Sequence, residues 1–148
     1  MHAIFVIGRV LFVAIFIISG ATKLLDISGT AAQIASVVTV PGALSGIAEQ
    51  VQTATDMPIP QLLAILSGVL ELVCGLLIAF NIGTRGAAFV LVLFTIVVTF
   101  YFHDFWNQTG ADRLNNMVHF LKNITAIGGL LVFTALGSWR PLDRTEPI

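Results

Sequence analysis

Apolar residues along this chain gather in four long runs parted by polar breaks. The runs cover 3–25, 60–82, 84–105 and 116–136. At ~1.5 Å of rise per residue, each is long enough to cross ~30 Å of hydrocarbon as a helix. Backbone groups in lipid must be satisfied within their own segment, so open strands are excluded. The pattern therefore predicts an all-α fold: an integral membrane four-helix bundle forming one domain over 1–148. The first run could be mistaken for a signal peptide. It carries Arg9 inside it and ends at Lys23 and Asp26 without a small-residue cleavage site, so a retained helix is expected.

The breaks are of different kinds. Asn81-Ile82-Gly83-Thr84 suits a tight reversal between the second and third spans. The third and fourth spans are joined by a polar stretch from Asn107 to Arg113. The break after the first span is about thirty residues long and is interrupted by Pro41-Gly42. Beyond it Leu44, Ile47, Ala48 and Val51 recur at helical spacing, opposite Glu49, Gln50 and Gln52. That predicts a short interfacial helix over roughly 43–54, lying at the membrane surface.

Composition agrees with lipid as the solvent. Of 148 residues 57% are hydrophobic and 10% charged, where a soluble domain carries roughly 25% charged. Net charge is −1, which gives no footing for nucleic acid. The single cysteine, Cys74, rules out an internal CxxC pair and reads as a small packing residue. Arg85, Arg140 and Arg144 fall on one side of the spans, against Arg113 in the loops of the other. The positive-inside rule then places both termini in the cytoplasm.

The informative residues are polar ones inside the apolar runs. Charge at the bilayer centre costs about 2.5–3.5 kcal/mol on insertion scales. Glu71 lies mid-span, with Gly68 and Gly75 on the same helical face. Small residues admit a neighbouring helix, so Glu71 should face protein. Arg9 sits only ~6 Å shallower by helical rise, and an Arg9–Glu71 structural ion pair is expected. A proton-carrying or ligand-facing Glu71 is the competing reading. Lys23, Asp26 and Asp104 fall at interfacial depth. Lys23 either snorkels with Asp26 as partner or serves a site. Asp104 either caps its helix end with His103 or joins the same site.

One region concentrates chemistry. The third span carries Thr95, Thr99, Phe102, His103 and Trp106 along a stripe, and the fourth carries His119, Lys122 and Asn123. Consecutive spans are neighbours, so His103 and His119 should sit at similar depth. Imidazole, ammonium and amide beside aromatic rings can bind the carbonyl oxygens and ring of a quinone. A metal site on His103, His119 and a carboxylate lacks HxxH or HxxxH spacing, so no metal is assigned. A proton or anion path and a plain interfacial belt containing Tyr101 and Trp106 are the alternatives. No flavin or haem motif is visible.

These polar positions resemble a known family. Gly8-Arg9-Val10-Leu11, Gly20-Ala21-Thr22-Lys23, Glu71-Leu72-Val73-Cys74-Gly75 and Gly83-Thr84-Arg85 are similar in order and spacing to DoxX-family membrane proteins. So are Phe102-His103-Asp104-Phe105-Trp106 and His119-Phe120-Leu121-Lys122-Asn123. The resemblance implies a small bacterial inner-membrane protein with four helices. It also implies association with thiosulfate oxidation coupled to quinone, or with redox homeostasis complexes. It supports the fold more than the reaction.

The leading expectation is a membrane subunit or partner of a quinone-linked redox system, with sulfur compounds as the substrates the resemblance suggests. Its ligand-binding residues would be His103, Trp106, His119, Lys122 and Asn123, and no catalytic residue is assigned. Electrons would come from a membrane or periplasmic protein partner. The alternative is a non-catalytic accessory or anchoring subunit of a larger complex, or a homo-oligomer. Solute transport is a third reading, without the paired broken helices that inverted-repeat transporters show.

Overall fold

The computed structural model describes residues 2–137; Arg140, Arg144 and the rest of the tail lie outside them. Six α-helices follow in order: α1 His2–Leu25, α2 Ile27–Val37, α3 Ser45–Thr55, α4 Ile59–Ala79, α5 Thr84–Phe102 and α6 Gly110–Leu136. Four helical stretches are long and apolar enough to cross a membrane: Ala3–Leu25, Ile59–Ala79, Thr84–Asn107 and Gly110–Leu136. They reproduce the four expected spans. The last helix starts six residues early, because Gly110–Asn116 is polar yet helical.

The α1–α4 pair is packed most closely. Gly20 and Gly68 allow it. A Cβ on Gly20 would stand 2.6 Å from the Gly68 carbonyl oxygen and the Leu72 nitrogen, so two backbones meet there. A Cβ on Gly75 would stand 2.8 Å from the Ile17 side chain. The chain then turns tightly into α5, with Asn81 and Gly83 both at positive φ (62° and 56°). The Asn81 side-chain oxygen accepts from Thr84 at 3.3 Å. α5 packs on α4, and α6 on α5. Phe12 and Phe133, with ring centroids 5.3 Å apart, bring α6 against α1.

The apolar core lies toward the Arg85 end of the bundle. It joins Val13 and Phe16 of α1, Cys74 and Ile78 of α4, Ala87, Ala88, Leu91 and Val92 of α5, and Ala126 and Leu130 of α6. Cys74 is a packing residue there. Toward the other end, where His103 lies, polar side chains replace this core.

Two elements occupy the long connection. α3 falls where amphipathic spacing placed it, after a 3-10 turn over Gly42–Leu44. It buries none of its residues, and Ile47, with Leu44 of the preceding turn, is left exposed. α2 is an element the hydropathy pattern does not show. Asp26 starts it: its carboxylate accepts from the Gly29 backbone N–H at 2.9 Å, the usual work of a helix N-cap. Asp26 is thus a cap and not the partner of Lys23. α2 packs chiefly on α4 and buries Ile34.

Candidate functional site

Glu71 faces protein, at 6% exposure. Its partner is Lys23, not Arg9. Ser19 completes the group: its hydroxyl donates to Glu71 at 3.0 Å and accepts from Lys23 Nζ at 2.8 Å. The expected Arg9–Glu71 pair fails on register. The antiparallel helices set Ser19 level with Glu71, so Arg9, ten residues earlier, is ~15 Å away along the axis. Lys23 is one turn beyond Ser19. Helical side chains lean toward the helix N-terminus, so the Lys23 stem runs inward to Glu71 instead of outward to the interface. Arg9 is also buried, at 8%. Its guanidinium lies 5.6 Å from the Phe5 ring centroid, and its Nε has no hydrogen-bond partner.

The histidines meet as expected. His103 and His119 stack with centroids 5.1 Å apart and planes 14° from parallel. Their tautomers follow from neighbours. Asn116 donates its amide to Gln108 Oε1 at 2.6 Å and to the Asp112 carbonyl at 3.2 Å. Its oxygen is therefore turned to His103, whose Nδ1–H donates to it at 3.1 Å. Lys122 Nζ donates to His119 Nδ1 at 3.1 Å, which puts the ring proton of His119 on Nε2. Deeper in, Asn123 donates to Thr99 Oγ1 at 3.0 Å, and Thr99 donates to the Thr95 carbonyl at 2.5 Å. The Thr95 hydroxyl is buried and unpartnered.

Members of both groups line one cavity of about 180 Å³. Lys23, Glu71 and Ser19 line it from one side, and Thr95, His103, Lys122 and Asn123 from the other. Ile15, Phe16, Phe94 and Val98 form the apolar walls. Lys23, Lys122 and Glu71 are all lining residues, so the lining carries an excess of formal positive charge, with the Lys122 ammonium held at His119. The Glu71 layer and the histidine layer are thus a single site. From helical rise alone they look like separate depths.

A family model described as DoxX matches residues 4–104, which hold Lys23, Glu71 and His103. The chain belongs to the DoxX family. This DoxX protein is also 30% identical over 131 residues to the inner membrane protein YphA of Escherichia coli (strain K12), covering 88% of this chain and 81% of that one. No solved structure gives a significant match. With its four apolar crossings, the DoxX chain is a multi-pass inner-membrane protein.

The remaining candidates fall outside the cavity of this DoxX chain. His119 stacks behind His103 and is not among the lining residues. Trp106 is 48% exposed and packs edge-on against Phe105 and Phe120, away from the cavity. Asp104 accepts from Asn107 at 3.1 Å and Gln108 at 2.9 Å, and so holds the loop after α5. No group of three or more His, Cys, Asp or Glu suited to a metal occurs among the described residues. Ser19 and Phe94 lie in the site without having been singled out. Ser19 carried a signal, as a hydroxyl one turn before Lys23 on the same face. Phe94 carried none.

Proposed function

We propose that the cavity binds the head group of a membrane quinone, and that the protein is a membrane subunit or partner of a redox system. The observation that supports this most is the unpartnered Thr95 hydroxyl in a lining that also offers Lys122, Asn123 and His103. A buried donor left unmatched costs about 1–3 kcal/mol, and a carbonyl oxygen placed there would relieve it. Phe16 and Phe94 supply surface for a flat ring. The excess positive charge favours a head group that gains electron density on reduction. Protons for the reduced oxygens can come through the Ser19–Lys23–Glu71 group, which is hydrogen-bonded throughout. Electrons come from a partner, with a sulfur compound as their source in the reading the family suggests. Both termini lie in the cytoplasm in this proposal, so the cavity opens nearer the outer face.

Purified protein in nanodiscs should bind tetramethylbenzoquinone saturably. Thr95→Val and Lys122→Met should each weaken binding about tenfold, a loss of ~1.4 kcal/mol. Unchanged affinity in both variants, or no binding by the unaltered protein, would overturn the assignment.

A second reading has its own observation. α6 buries only Ala126 and Leu130 among its described residues, and Val118, Leu121, Ile124, Leu131 and Val132 are exposed. That face suits a partner's membrane helix, in which case the chain is an accessory subunit. Stoichiometric co-purification, with partner turnover indifferent to Lys122→Met, would favour it.

A further inference from the structure

The polar cavity is small for a whole ligand. Small-molecule sites enclose roughly 300–1,000 Å³, and this one offers about 180 Å³. Beside it lies a second void of about 290 Å³, between α2, α4 and α5. Its walls differ in kind. Ile34 of α2, Val38 just past its end, Leu63 of α4 and Phe102 of α5 give it most of its surface, and Thr30, Gln33 and Ser67 add small polar patches. Lys23, Phe94, Val98 and His103 border both voids. The two therefore adjoin at Lys23 and His103, the first richer in polar groups and the second mostly apolar.

This division matches one class of molecule, a polar ring carrying an apolar chain. We propose that the groove under α2 holds the prenyl-type chain of an amphiphile whose head sits in the adjoining cavity. The proposal rests on the head-group reading above. α2 is the roof of the groove. It packs chiefly on α4, and the space between it and α5 is what the chain fills. Ile34, the residue α2 buries, points the roof inward. Lys23 holds the threshold, fixed to Glu71 and 6.0 Å from the Phe94 ring centroid.

A chain in this groove gains little over a chain in lipid, because lipid tails are as apolar as leucine. The groove therefore governs where the chain lies more than how tightly the molecule binds. The test must read position. A benzoquinone bearing a decyl chain with a terminal diazirine is added to the full protein in nanodiscs, irradiated, and the labelled residues are mapped by mass spectrometry. Label should fall on Ile34, Leu63 and Phe102, and excess tetramethylbenzoquinone, a head without a chain, should remove it. Ile34→Trp should cut groove labelling at least tenfold while tetramethylbenzoquinone still binds.

Label on the lipid-facing residues Leu66, Val69 and Val73, with tetramethylbenzoquinone still binding, would overturn the groove and leave the head site standing. Groove label that tetramethylbenzoquinone does not displace would show a site for any apolar chain and overturn the pairing of head with tail. Loss of both the label and tetramethylbenzoquinone binding would sink the head-group reading and this proposal together.

Discussion

Two charged side chains of α1 are drawn into the bundle, and they meet opposite fates. Lys23 finds a carboxylate and a hydroxyl, and the three form a closed group at the cavity. Arg9 finds an aromatic face and leaves its Nε unmatched. Both are buried in part or whole, so burial alone does not separate them. Register does. The glycine contacts of α1 and α4 set Ser19 against Glu71, and this gives the one carboxylate to the lysine. A charge inside a membrane protein becomes a site only when helix packing delivers a partner at its own depth.

The contrast can be attacked at Lys23 first. Lys23→Met leaves a buried carboxylate without its cation and should cost about 3–5 kcal/mol, read as loss of folded protein in a denaturant titration in lipid. Adding Glu71→Gln should restore most of that loss. A single variant as stable as the parent would break the claim that the pair is buried and matched. Next comes the packing that fixes register. Gly20→Leu pushes a side chain into backbone atoms of α4 and should cost about 1–3 kcal/mol. It should also lower tetramethylbenzoquinone binding, because Ser19 and Lys23 move with α1. The smallest effect is expected at the other end. Arg9→Met removes a poorly matched charge and keeps the stem's packing, so stability should change by less than ~1 kcal/mol. A loss as large as that of Lys23→Met would erase the distinction between the two charges.

Much of the fold was written in the apolar pattern. Length and hydrophobicity mark each crossing, and the Gly68–Glu71–Gly75 face told that Glu71 points to protein. The meeting of His103 with His119 followed from adjacency of consecutive spans. What escaped has a physical reason in each case. α2 reads Ile-Ser-Gly-Thr-Ala-Ala-Gln-Ile-Ala-Ser-Val, too polar for a span and too weakly patterned for a surface helix. Its N-cap, Asp26, is visible in the sequence, but at three residues from Lys23 it reads equally as a partner for that lysine. Depths counted from the helix ends bring Arg9 near Glu71, but α1 and α4 do not end at the same level. Trp106 lay on the right stripe, but the 3-10 turn over Phe105–Asn107 carries it off the helix and out of the site.

The Lys23–Glu71 pair also bears on how the chain enters the bilayer. The two residues lie 48 apart in sequence, one near the end of the first crossing and the other at the middle of the second. Lys23, close to its helix end, can wait with its ammonium among the headgroups. Glu71 has no such refuge, and entering alone it would bear the penalty of a mid-membrane charge. The first crossing then offers the second a partner for its charge, and release of the second into lipid is expected to be coupled to its docking on α1. Delayed insertion of α4 after loss of Lys23, with α1 inserting normally, would be the trace of that order in the nascent chain.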